Sequence, residues 1–206
     1  MKAATAVQCH WEKAEHPGPI RYRDRELQRD CLKVLPGGYY VTGEDLLLVT
    51  VLGSCVAACV RDAQTGLGGM NHFMLPGVEG GGESARYGAY AMEVLINELL
   101  KQGTRREHLE AKVFGGANVM GSTRATNVGA SNAAFVLDYL KAEQIHVLAR
   151  DLGGFAARKV GYAPHTGRVL VKHVPMSSQA ADLAAERAYG AQLQRQPLAG
   201  DIELFD

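Results

Sequence analysis

From about residue 31 the chain runs in short hydrophobic blocks separated by glycine, proline and aspartate. Cys31 to Leu35 is an apolar segment, Pro36-Gly37-Gly38 a turn, and Tyr39-Tyr40-Val41 a second strand. Leu46 to Leu52 is apolar except at Thr50, and a run of this length predicts a strand buried on both faces. After Cys55, alternation puts Cys55, Ala57, Cys59 and Arg61 on one face and Val56, Ala58 and Val60 on the other. Asp62 to Thr65 reads as a turn and Gly66 to Leu75 as the returning strand. If Arg61 pairs with Gly66 across that turn, Cys55 lies directly opposite His72, with Cβ atoms about 4.5–5.5 Å apart.

Pro76 to Glu83 is a glycine-rich rim beside the histidine strand, and Ser84 is placed to cap the helix that follows. In that helix Met92, Leu95, Ile96 and Leu99 recur at helical spacing, and Gly103 supplies a stop. Ala111 to Phe114 predicts a strand, Asn132 to Glu143 a helix buried through Phe135, Val136, Tyr139 and Leu140, and Ile145 to Arg150 another strand. Arg158 to Tyr162 and Arg168 to His173 form a hairpin around Pro164 to Gly167. Strands and two long helices without a regular βα rhythm point to an α+β fold. Residues 31–174 are expected as the domain, residues 1–30 as a polar, loosely packed N-terminal extension, and residues 175–206 as a polar C-terminal extension. Within the latter, Gln179 to Gln194 could form one helix, and Ile202, Leu204 and Phe205 among acids read as a tail or a short docking peptide.

Composition narrows the function classes. The 206 residues are 47% hydrophobic with 22 basic and 22 acidic side chains, a globular balance that argues against a general nucleic-acid binder. Four cysteines without paired CxxC spacing suit reduced thiols in a cytoplasm better than a disulfide scaffold or zinc module. No apolar run approaches the length needed to span a bilayer, so the protein is expected to be cytoplasmic and not membrane-embedded.

The candidate chemistry begins at Leu52-Gly53-Ser54-Cys55. Gly53 and Ser54 allow a sharp turn in which backbone N–H groups around Ser54 and Cys55 point at a developing oxyanion. A histidine beside Cys55 favours its thiolate, the reactive form. A thiol hydrolase using Cys55 and His72 therefore stands beside two other readings: a buried structural cysteine, and a zinc site through Cys55, Cys59 and His72. The loops GGANVMGS and DLGGF fit neither common phosphate-binding glycine pattern, and close backbone approach is the better use of their glycines.

The segments LLLVTVLGSCVAACVRD, GLGGMNHFMLP, RYGAYAMEVLINELLKQG, AKVFGGANVM and DLGGFAARKVGYAPHTGRVLVK resemble the bacterial chemoreceptor glutamine deamidases, CheD, from about Leu35 to Val174. The resemblance implies mixed β-sheets sandwiched between helices, as in the catalytic domain of the cytotoxic necrotizing factor toxins. It also implies Cys55 as nucleophile, His72 as base and acid, and Thr50 as the third member of the site, with no cofactor or metal. The implied activity is conversion of receptor glutamines to glutamate with ammonia release, through a cysteine thioester. Implied partners are the cytoplasmic helices of chemotaxis receptors and a CheC-type phosphatase. The alternatives are a non-catalytic chemotaxis adaptor and a transglutaminase-like acyltransferase.

Overall fold

The computed structural model describes residues 20–25, 28–75, 81–119, 127–174 and 180–195. The long buried run expected around Thr50 is β4 (Leu47–Leu52), every residue of which is buried. It occupies the middle of a mixed sheet in the order β1 (Ile20–Asp24), β2 (Arg29–Lys33), β4, β9 (Ala157–Ala163), β10 (Arg168–Val174). A second mixed sheet runs β3 (Tyr39–Thr42), β6 (Gly68–Asn71), β5 (Val56–Asp62), β7 (Leu109–Gly115), β8 (His146–Leu152). The first sheet begins inside the stretch expected as a loose extension, because Ile20–Asp24 pairs antiparallel with β2 along its whole length.

The two sheets face each other across a shared apolar layer. Leu48, Leu52, Val160 and Tyr162 project from the first sheet and Tyr40, Ala57, Cys59 and Met70 from the second. The opposite face of the second sheet carries Val56, Ala58, Val60, Ala111 and Val113, covered by α1 (Gly81–Lys101) and α2 (Val128–Ala142). Met92, Leu95, Ile96 and Leu99 are the buried stripe of α1, as their spacing predicts. That helix starts at Gly81, so Ser84 lies inside it rather than at its cap. Gly103, at φ +95°, ends the helix region with its N–H on the Leu100 carbonyl. The start of α2 lies four residues before the expected one, where the Asn127 side chain accepts the Ala130 N–H at 3.1 Å.

The fold is thus α+β with two mixed sheets. The layer order is helices, sheet, sheet, so α1 and α2 cover one outer face rather than enclosing both sheets. A third helix, α3 (Ala180–Arg195), lies against β4, and its Tyr189 and Leu193 enter the layer between the sheets. The expected glycine rim at residues 76–80 and the expected docking peptide at Asp201–Asp206 fall outside the described residues.

The hairpin register differs from the expected one. Arg61 pairs with Gly68 rather than Gly66, and Cys59 with Met70. The turn is longer than four residues: the Asp62 N–H bonds the Leu67 carbonyl at 2.9 Å, and the Asp62 carboxylate accepts the N–H groups of Gln64 and Thr65. A two-residue change preserves side-chain parity, so Cys55 and His72 keep the same face but become diagonal neighbours instead of direct partners.

The glycines before His72 do not leave an open face, as their small size suggests. Gly68 and Gly69 are both buried, and a Cβ on Gly69 would lie 2.5 Å from the Tyr40 carbonyl oxygen and 2.8 Å from Leu95. Gly69→Ala is therefore expected to lower the unfolding free energy by about 1–3 kcal/mol through overpacking. Urea denaturation measures this, and an unchanged midpoint would contradict the packing described.

Candidate active site

The chain crosses from the first sheet to the second between Leu52 and Val56, and Cys55 lies at the end of that crossing. Backbone contacts hold the crossing from several sides. The Gly116 N–H donates to the Cys55 carbonyl at 2.7 Å and the Ala117 N–H to the Gly53 carbonyl at 2.8 Å. Gly115 has φ +112° and a Cβ there would come within 2.2 Å of the Cys55 carbonyl, which explains the first glycine of GGAN by close approach. The DLGGF loop completes the support, with Gly153 N–H on the Gly115 carbonyl and Asn118 N–H on that of Gly154. Buried Arg158 in turn reaches the Asp151 side chain at 2.9 Å and the carbonyls of Asp151 and Gly153.

His72 follows β6 directly. Its backbone is clamped by the Pro36-Gly37-Gly38 turn: His72 N–H donates to the Gly38 carbonyl at 2.9 Å, and Gly37 N–H to the His72 carbonyl at 2.7 Å. Its Nδ1 lies 2.7 Å from Thr50 Oγ1, and the Thr50 hydroxyl lies 2.9 Å from the Val34 carbonyl. A hydroxyl has one proton, so donation to Val34 leaves Oγ1 to accept from Nδ1–H. This fixes the tautomer in which Nε2 is the basic nitrogen. The neighbouring position on β4, Val49, packs on the opposite face with Cys31, Leu47 and Ala163.

The structure brings Thr50, Cys55 and His72 together, all buried, with Gly53 and Ser54 in the crossing itself. It adds two residues that pattern reading missed. Asn132, on α2 and fully buried, donates from Nδ2 to the Ser54 carbonyl and accepts the Leu75 N–H at Oδ1, both at 2.8 Å. One amide thus ties the cysteine turn to the strand leaving His72. Glu186, on α3, is the other. Its Oε2 accepts the Gly53 N–H at 3.1 Å and its Oε1 accepts the Cys55 N–H.

The Cys55 sulfur, a ring nitrogen of His72 and a carboxylate oxygen of Glu186 lie within 4.8 Å of one another. Cys59 belongs to no such cluster of three donors among the described residues, which separates it from the zinc arrangement considered above. Both carboxylate oxygens of Glu186 are engaged by backbone N–H groups.

Burial is the larger cause that pushes the Cys55 thiol well above its ordinary range, and the Glu186 carboxylate adds to it. Burial also raises the Glu186 carboxyl, opposed by hydrogen bonds from the Cys55 thiol and the N–H groups of Cys55, Gly53 and Ser54. Tyr87 and Tyr189, in the same apolar layer as Cys55, are themselves raised by burial first and bring no positive charge. Burial and the neighbouring carboxylate thus both favour the thiol over the thiolate.

The arrangement is fully favoured below the ordinary thiol pKa of about 8.5 and loses ground as pH rises above it, because the thiol there holds a proton that an uncovered thiol releases. Alkylation of Cys55 by iodoacetamide is expected to be slow at neutral pH and to accelerate in the alkaline range. Glu186→Leu removes the repelling charge and should move the midpoint to lower pH. Peptide mass spectrometry across a pH series measures both, and an unmoved midpoint would contradict the coupling.

The chain is similar to known proteins over most of its length. A family model described as CheD chemotactic sensory transduction matches residues 74–173. A probable chemoreceptor glutamine deamidase CheD of Janthinobacterium sp. (strain Marseille) is 53% identical over 198 residues, covering 93% of this chain and 97% of that one. A probable chemoreceptor glutamine deamidase CheD 1 of Dechloromonas aromatica (strain RCB) is 55% identical over 195 residues, covering 93% and 96%. A third relative, from Cupriavidus pinatubonensis, is 59% identical over 160 residues, about three quarters of each chain. With identity at this level along nearly its whole length, the chain belongs to the CheD family.

Proposed function

We propose that this protein is an amidohydrolase that converts glutamine side chains of chemotaxis receptors to glutamate, releasing ammonia. The observation that carries the reading is the convergence of the Cys55 thiol and the Thr50-oriented His72 beneath backbone N–H groups of Gly53, Ser54 and Cys55. The names of the relatives supply the substrate class: they are described as chemoreceptor glutamine deamidases.

In this mechanism His72 Nε2 takes the thiol proton and the sulfur attacks the substrate Cδ. Negative charge grows on the amide oxygen, where the N–H groups of the Gly53–Cys55 turn receive it. Each well-placed donor of this kind is worth about 3–4 kcal/mol in the transition state. His72 returns the proton to the departing nitrogen, the C–N bond breaks, and a thioester remains on Cys55. Water, giving its proton to the same imidazole, then replaces the sulfur and releases glutamate.

Each turnover would exchange a neutral amide for a carboxylate on a receptor helix. The cytoplasmic helices of receptors are thus the partner in this reading, and the cytoplasm is its compartment. No helix among the described residues is long and apolar enough to cross a membrane. A CheC-type phosphatase is a further partner the family resemblance brings to the proposal. The likeness to the cytotoxic necrotizing factor catalytic domain belongs to it too, supported by the Cys–His pair held between mixed sheets.

Incubation with purified receptor fragments, followed by peptide mass spectrometry and ammonia detection, tests the reading. Conversion of Gln to Glu lost in Cys55→Ala is expected; an amine adduct instead would indicate acyl transfer, and binding without conversion an adaptor. Thr50→Val leaves the buried His72 Nδ1–H without its acceptor, a cost of about 1–3 kcal/mol that predicts a fall in kcat of about 5- to 150-fold. Val49→Thr added to that variant should not restore activity, since residue 49 faces away from His72.

A further inference from the structure

Glu186 is a carboxylate in an expensive place. It is only 3% exposed, and no lysine or arginine pairs with it among the described residues. Its oxygens instead take the backbone N–H groups of Gly53 and Cys55, donors expected to receive the oxyanion. The functional group itself is informative. A glutamate side chain ending beside a candidate nucleophilic cysteine and its histidine is chemically the product of glutamine deamidation.

The helix that carries it is held by a narrow contact. Among the described side chains of α3, Glu186, Tyr189 and Leu193 are buried, with Gly190 partly buried between them, one stripe at helical spacing. The Tyr189 hydroxyl bonds that of Tyr87 on α1. Its ring lies so close to Gly37 that a Cβ there would meet it at 2.7 Å, which places Tyr189 on the turn that clamps His72. Gly190 lets Met74 approach, where a Cβ would lie 3.1 Å from the sulfur. The outward side bears Ala181, Ala184, Ala185, Arg187, Ala188 and Ala191. On the inward side it is Gly190 that lets the helix backbone come close to the site.

We infer that α3 is a resident pseudo-product: it occupies the groove that receives a substrate helix, with Glu186 in the slot of the reacting glutamine side chain, and it must leave before a receptor binds. This inference rests on the deamidase reading and specifies how the substrate sits. The substrate is a helix presenting glutamine, its carbonyl oxygen on the Gly53–Cys55 turn and its flank against Tyr87, Met74 and the Gly37 turn. The protein is consequently self-inhibited. The same slot has a further activity: an amide placed at position 186 is itself a substrate. The Cys55 sulfur would bond to its Cδ, the C–N bond would break with ammonia carrying off the proton held by His72, and water would replace the sulfur to leave a carboxylate.

Purified full-length Glu186→Gln protein tests this, followed by peptide mass spectrometry over time. The expected result is conversion of the introduced amide to the acid, at a rate independent of protein concentration and abolished by Cys55→Ala. Persistence of the amide while wild-type protein converts receptor glutamines overturns the inference and leaves the deamidase reading standing. If neither wild-type protein nor Tyr189→Ala, in which the helix is weakened, converts any receptor, the deamidase reading fails, and Cys55 alkylation then decides whether α3 covers the site. Tyr189→Ala, which weakens the helix without touching the Gly53–Cys55 turn, should raise that alkylation rate by about tenfold or more as the thiol becomes accessible. An unchanged rate overturns the inference independently of any turnover.

Discussion

The chain must pass from the first sheet to the second at Gly53-Ser54-Cys55, and a strand that leaves its ladder inside a core strands its backbone N–H groups. Buried donors need an acceptor, at a cost of about 1–3 kcal/mol for each one left unmet. Here the acceptor is the Glu186 carboxylate, delivered by a helix more than 130 residues further along the chain. The same stranded donors are what a tetrahedral oxyanion would require. The crossing therefore creates both the need that α3 meets in the resting protein and the feature that the proposed chemistry uses.

The remaining site follows from where the sheets touch. Thr50 is on the inward face of β4 and His72 leaves β6 in the opposite sheet, so their 2.7 Å contact spans the layer between the sheets. Val34, at the end of β2's segment, holds the threonine hydroxyl, and the Pro36–Gly38 turn holds the histidine backbone. Asn132 joins the cysteine turn to the strand after His72 from the other side. Each candidate residue is thus fixed by elements from different parts of the chain.

Much of the fold was legible because its signals are local. The apolar run of β4, the Met92–Leu99 stripe of α1 and the β9–β10 hairpin all lie where periodicity puts them. The face shared by Cys55 and His72 was also legible, since parity survived a hairpin two residues out of register. The register itself was not, because it depends on how the Asp62 carboxylate organises a turn through Gln64 and Thr65. Gly68 and Gly69 looked like open space and are instead filled by neighbours from other strands and α1. The role of the C-terminal helix was hidden most deeply. Its alanines, charges and glutamines read as solvated, and among its described side chains Glu186, Tyr189 and Leu193 are the ones that turn inward. Nothing local distinguishes a glutamate that enters a thiol site from one that faces water.

The central claim is that Cys55 carries the acyl group of a glutamine side chain. Rapid acid quenching of the protein mixed with a receptor fragment, followed by mass spectrometry of the Cys55 peptide, tests it directly. The account predicts a transient adduct of receptor peptide on Cys55 that appears before glutamate accumulates and is absent in Cys55→Ala. Conversion of receptor glutamine at an undiminished rate in Cys55→Ala, with no adduct at any time in the wild type, would contradict it.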